Sequence, residues 1–116
     1  MEFELYSSYF GENAPRVITD VEWVDELELD NASYQFYILL VVKREDGYYL
    51  STDSGCSCPT PWENHTFPES FTGPLTAEQA REESSSLIEG AQETARNGYS
   101  EGPDEYRAKA LLAKIV

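Results

Sequence analysis

The stretch YQFYILLVVKREDGYYLST, residues 34–52, decides the fold. From Tyr34 to Val42 both alternating sets of side chains are apolar or aromatic: Tyr34, Phe36, Ile38 and Leu40 form one, and Tyr37, Leu39 and Val41 the other. A strand repeats every two residues, so a run that is apolar on both faces fits a central strand. Lys43, Arg44 and Glu45 then lead into Asp46-Gly47. Both residues of that pair tolerate positive φ, the strongest short signal for a hairpin, and Tyr48 to Thr52 resumes the sheet. Strands are expected at about 34–45 and 48–53.

On the N-terminal side the period is again two. Val17, Val21, Trp23, Leu27 and Leu29 share one face, while Asp20, Glu22, Glu26, Glu28 and Asp30 share the other. This predicts a half-buried strand over 17–29, joined to the central one through the turn residues Asp30-Asn31-Ala32-Ser33. Phe3 and Leu5 alternate with Glu2 and Glu4 and predict a short opening strand at 2–6. The result is an antiparallel meander of three to four strands.

On the C-terminal side, residues 53–75 hold four of the six prolines and little periodicity, the pattern of a long Pro-rich loop. Thr76 and Gln79 then form a capping box, and Ala77, Ala80, Ser84, Leu87, Ile88, Ala91 and Ala95 recur at helical spacing until Asn97-Gly98, predicting a helix over 76–97. Gly102-Pro103-Asp104-Glu105 opens a second helix, 103–115, with Pro103 at the first helical position. Tyr106, Ala110, Ala113, Leu111, Leu112 and Ile115 follow, with Arg107, Lys109 and Lys114 toward the negative end of the helix dipole. Strands first and helices afterwards predict one α+β domain over residues 1–116, with both helices packed on one sheet face.

Charge narrows the function. The 116 residues carry 22 carboxylates against 8 Lys and Arg, a net −14, and residues 1–30 alone hold nine carboxylates and one arginine. Phosphate backbones and anionic membranes are bound by Lys and Arg that displace counterions, so direct nucleic-acid or membrane binding is not expected. No apolar run approaches the roughly 20 residues needed to span a bilayer, and the first residues carry carboxylates where a secretory signal carries positive charge. A cytoplasmic location is expected, and there Cys56 and Cys58 would stay as thiols.

Two surfaces are candidates for function. The first is the loop around Asp53, Cys56, Cys58, Trp62, Glu63 and His65. Cys56, Cys58 and His65 are ligand types that zinc accepts, but the C-x-C spacing departs from the usual C-x₂₋₄-C with a second pair. Asp53 and Glu63 would raise the thiol pKa values rather than lower them, against redox chemistry. An enzyme would need His65 as base, a cysteine as nucleophile and Asp53 as orienter. The same two cysteines also suit packing beneath the loop beside Trp62. No phosphate loop, nucleophile elbow or nucleotide fingerprint is present, so no cofactor and no catalytic residue is expected.

The second surface is the face carrying Asp20, Glu22, Glu26, Glu28 and Asp30. Carboxylates about 6.6 Å apart along a strand would imitate a phosphate backbone and fit a basic, nucleic-acid-binding surface on another protein. The same charges would also keep a strand face solvated and protect a sheet edge from aggregation.

From Asp46-Gly47-Tyr48-Tyr49 through Asp53-Ser54-Gly55-Cys56-Ser57-Cys58-Pro59 to Pro61-Trp62-Glu63, the chain resembles a family of small proteins from phages of actinobacteria. Those proteins share the D-S-G-C-S-C-P stretch, an aromatic-acidic pair after it and a helical C-terminal half. The resemblance implies a phage origin and a host-cytoplasm setting, and it brings no catalytic residues. Together these readings predict a non-enzymatic accessory protein that binds a host or phage protein, with a small zinc-binding module on Cys56, Cys58 and His65 as the alternative.

Overall fold

In a computed structural model, residues 1–5, 17–30, 35–56, 62, 65–98 and 101–116 are described. The side chain of Cys56, and all of Cys58 and Glu63, lie outside the described residues. The stretch that is apolar on both faces becomes β4 (Gln35–Arg44), one of the two inner strands of a four-stranded antiparallel sheet. Its neighbours are β3 (Val21–Asp30) and β5 (Gly47–Cys56), and β6 (Thr72–Leu75) completes the order β3-β4-β5-β6. Two helices follow, α1 (Ala77–Arg96) and α2 (Glu105–Lys114), so the architecture is α+β.

The two-residue repeat of β4 sorts the interior into two cores. Leu39 and Val41 join Leu27, Leu29, Tyr48 and Leu50 under the helices, which contribute Ala80, Ile88, Ala91, Ala108 and Leu111, with Ile115 just after α2. Ile38, Leu40 and Val42 face the other way, with Tyr49, and are covered by Leu5, Ile18, Val21 and Trp62, flanked by Phe3, Phe67 and Phe71. Leu39, Leu40, Val41 and Val42 are all fully buried. Each such side chain contributes roughly 1.5–3 kcal/mol of burial before ordering costs, which explains why a strand this apolar is stable only between two covers.

The hairpin turns one residue earlier than expected. Arg44 pairs with Gly47, so the two loop residues are Glu45 and Asp46. Gly47, at φ 139°, starts β5, and a Cβ there would stand 2.9 Å from the Leu75 carbonyl of the neighbouring strand β6. Asp46 stays in an ordinary conformation, and its carboxylate accepts from Arg44 Nη1 at 3.0 Å and from Tyr49 Oη at 2.8 Å.

The strand expected over 17–29 is two strands. β2 (Val17–Ile18) pairs with β1 (Phe3–Glu4) in a separate ribbon, and Asp20, at φ 58°, breaks the chain before β3. Ile18 is fully buried while Val17 is 44% exposed, the reverse of the expected alternation. Within β3 the register shifts between Val21 and Trp23 and again between Glu28 and Asp30. One inserted residue turns the remainder of a strand to the other face. Val21 therefore lies in the second core, while Trp23, Leu27 and Leu29 lie under the helices.

The Pro-rich stretch also differs from expectation, because its end folds back as β6 beside β5. A strand of four residues containing Gly73 and Pro74 shows no alternation, and a proline is tolerated there because β6 is an edge. Thr76 and Gln79 form the expected capping box on α1. In α2 the N-cap is Asp104, whose Oδ1 accepts from Arg107 N at 3.0 Å, so Pro103 precedes the cap instead of opening the helix. Tyr106 points away from the core and is 83% exposed. No helix among the described residues is long and apolar enough to cross a membrane.

Candidate functional site

Three of the loop candidates come together at the end of β5. Asp53 Oδ2 accepts from the Trp62 backbone N–H at 2.7 Å, and its Oδ1 accepts from Ser54 N at 3.0 Å. This anchor holds Trp62 at φ 70° with its indole buried in the second core. His65 N donates to the Trp62 carbonyl at 3.1 Å, and the imidazole stands edge-on to the indole with centroids 5.0 Å apart. His65 Nε2 lies 3.0 Å from the Thr52 carbonyl; a carbonyl only accepts, so Nε2 carries the proton in this bond.

These contacts give the cluster a structural task. The Asp53 carboxylate and the His65 ring are each committed to the backbone, and the hydrogen bond between them that a nucleophilic relay requires is not formed. Among the described residues, no group of three or more His, Cys, Asp or Glu is placed to hold a metal ion.

The five carboxylates expected on one strand face are dispersed by the breaks in β3. Asp20 sits in the turn, 3.8 Å from Arg44 Nη2, and Glu22 lies within the first register shift, 3.6 Å from Lys43 Nζ. Asp30 follows the second shift and stands opposite Tyr37, on the helix-covered side. Glu26 and Glu28, opposite Leu40 and Ile38, keep the two-residue spacing on the other side, and both are exposed. The regular row of five is thus a pair, because each register shift reverses the side to which later residues point.

Glu26 is the perturbed member of that pair. Although the residue as a whole is exposed, its carboxyl is partly desolvated against the sheet, which raises its pKa, and the neighbouring negative charges of Asp25 and Glu28 act in the same direction. The Trp62 indole N–H and the Arg107 guanidinium oppose the rise. The indole Nε1 is buried without a partner in good hydrogen-bond geometry, so its pull on the carboxylate is that of a nearby dipole.

Several residues that matter here were not among the sequence candidates. Asp25 occupies an apolar phase of β3 and meets Lys114 Nζ at 3.1 Å and Arg107 Nη2 at 3.9 Å. A carboxylate out of phase in an otherwise alternating strand is a signal that a cation from another element covers it. Lys114 also lies over the Trp23 ring, 5.5 Å from its centroid. Arg107 Nη2 donates to the Glu26 carbonyl at 3.0 Å. Between β3 and the start of α2 lies a cleft of about 380 Å³, lined by Leu27, Glu28, Glu101, Pro103, Asp104 and Arg107 among others.

On the opposite edge of the second core, Arg44 serves as a hub. Its Nε donates to the Thr19 carbonyl at 2.8 Å, and its guanidinium lies over Tyr49 and Phe67 at 5.6 and 5.2 Å from the ring centroids. The Tyr49 hydroxyl pKa is raised by burial and by the hydrogen bond to Asp46.

No curated protein and no solved structure matches the chain. A family model does, over residues 13–108, a span that takes in the whole four-stranded sheet, α1 and the start of α2. The chain therefore belongs to the family described as a domain of unknown function, DUF7574.

Proposed function

We propose that the protein is a non-enzymatic, acidic accessory protein of phage type that binds a host or phage protein by presenting carboxylates to a basic surface. The observation that carries this reading is the distribution of charge: a net −14, with nine of the 22 carboxylates in the first 30 residues. Glu26 and Glu28 support it, being exposed side by side on an end strand of the sheet. A partner with a nucleic-acid-binding surface fits, since that surface is built to attract negative charge. The phage setting rests on the resemblance of the D-S-G-C-S-C-P loop and its surroundings.

The test is affinity capture from a host lysate at low salt, followed by a salt-gradient elution and identification of the retained protein. A basic partner that elutes as ionic strength rises, and is retained less by the Glu26→Gln/Glu28→Gln variant, supports the reading. Failure to retain any protein at low salt, where charge attraction is strongest, overturns it.

A further inference from the structure

We infer that the outer edge of β3 at residues 24–28 is a strand-addition site, closed in this structure by Arg107, and that its occupant is an extended segment of a partner protein with Lys or Arg at alternate positions. This rests on the proposed function and specifies how its carboxylates would engage.

β3 ends the sheet, with β4 on one side and, among the described residues, no strand on the other. In an antiparallel pair, successive residues direct their N–H and C=O groups alternately toward the partner and away from it. The Glu26 carbonyl points away, since it accepts from Arg107 Nη2 at 3.0 Å. The two-residue repeat then turns Val24 and Glu28 outward as well. Near the start of the strand, Val21 N donates to the Met1 carbonyl at 2.9 Å and the Val21 carbonyl accepts from the Met1 α-ammonium at 3.0 Å, so this edge already takes a partner from another segment. Over residues 24–28, Arg107 makes the one outer contact to the β3 backbone among the described residues.

The closure is light. The Arg107 side chain is 59% exposed, and besides the Glu26 carbonyl it meets the Asp25 carboxylate only at 3.9 Å. An added strand would replace that single bond with a ladder at residues 24, 26 and 28, the geometry by which exposed sheet edges take up peptides.

Charge selects the occupant. Side chains of an added strand alternate between the two faces of the sheet. On one face they would stand beside Glu26 and Glu28, and on the other they would reach the cleft that Arg107 lines together with Leu27, Glu101, Pro103 and Asp104. Basic residues are favoured on the first, which sets Lys or Arg at alternate positions. A second copy of the same strand would set glutamates against glutamates in a chain of net −14, so self-pairing is opposed.

The test uses the full chain and a fluorescent peptide of alternating Lys and Val, with a version N-methylated along one edge so that charge is kept and strand pairing is blocked. Anisotropy titrations are expected to show binding of the first peptide and at least tenfold weaker binding of the second. Arg107→Ala is expected to tighten binding by threefold or more, and the Glu26→Gln/Glu28→Gln variant to weaken it by tenfold or more. The backbone amides of Val24, Glu26 and Glu28 are expected to gain hydrogen-exchange protection on binding. Equal binding of the two peptides, or weaker binding by Arg107→Ala, overturns strand addition while leaving the acidic-surface reading intact. If neither peptide binds, the strand-addition site is overturned, and the lysate capture decides the broader reading separately.

Discussion

Replacing Leu39 or Leu40 by alanine tests whether the second face of the sheet is a true core. The two leucines are adjacent in β4, both fully buried, and belong to opposite cores: Leu39 lies under the helices, Leu40 under Trp62 and its neighbours. Leu→Ala removes the equivalent of three methylene groups, about 2.4 kcal/mol at roughly 0.8 kcal/mol each. The cavity left behind adds about 24 cal/mol per Å³, so about 3–4 kcal/mol is expected for either variant. In urea unfolding, with a slope of about 1.5 kcal/mol/M, that is a fall in midpoint of roughly 2 M for each. Val17→Ala, at a position 44% exposed, serves as the reference and is expected to shift the midpoint little. If Leu39→Ala falls as expected while Leu40→Ala stays near the wild-type midpoint, the second face is not packed as described and the reasoning from its burial fails.

Arg44→Ala removes the bonds to Asp46 and the Thr19 carbonyl and the contacts over Tyr49 and Phe67. It should cost about 2–3 kcal/mol by denaturant titration, and a loss under about 0.5 kcal/mol would show the hub to be idle. Gly73→Ala would place a Cβ 2.6 Å from the Tyr48 carbonyl at φ 155°, for an expected loss of about 1–3 kcal/mol. Gly90, inside α1 with nothing near its Cβ position, should instead stabilise on Gly90→Ala by about 0.5–1 kcal/mol; opposite signs in thermal melts are the check. Glu26 has a raised pKa in the folded state, so its protonated form is favoured there, and the stability this brings is present at low pH and lost as pH rises through the raised value. Glu26→Gln should therefore melt like the wild type at about pH 3 and higher than it at about pH 7, and a lower melting temperature at neutral pH would contradict the sign.

Much of the architecture is legible in the sequence because local patterns carry it. The apolar run from Ile38 to Val42, Thr76 with Gln79, and the helical spacing of Ala80, Ser84, Ile88 and Ala91 each reflect one element's own repeat. The departures share one cause. Alternation counted from Val17 to Leu29 assumes an unbroken strand, yet Asp20 breaks it and two register shifts reverse its sides, so the acidic row and the side taken by Val21 both escape that count. β6 is hidden because Gly73 and Pro74 carry no strand signature, and the flanking Thr72 and Leu75 pair only because β5 is there to receive them. At the candidate loop, sequence proximity suggests chemistry through Asp53 and His65, and the fold pairs the Asp53 carboxylate and His65 Nε2 with backbone groups.

By itself, the sequence determined that this chain builds a sheet around residues 34–52, follows it with two capped helices and carries a large negative charge, since propensity, capping and composition are local or summed properties. Only the tertiary structure decided what lies over Leu40, where β3 changes sides, and that Arg107, 81 positions away in the chain, closes the Glu26 carbonyl. Those are contacts between segments with no local periodicity to announce them. They form because buried apolar surface and unpaired backbone groups must be satisfied by whatever the folded chain brings alongside.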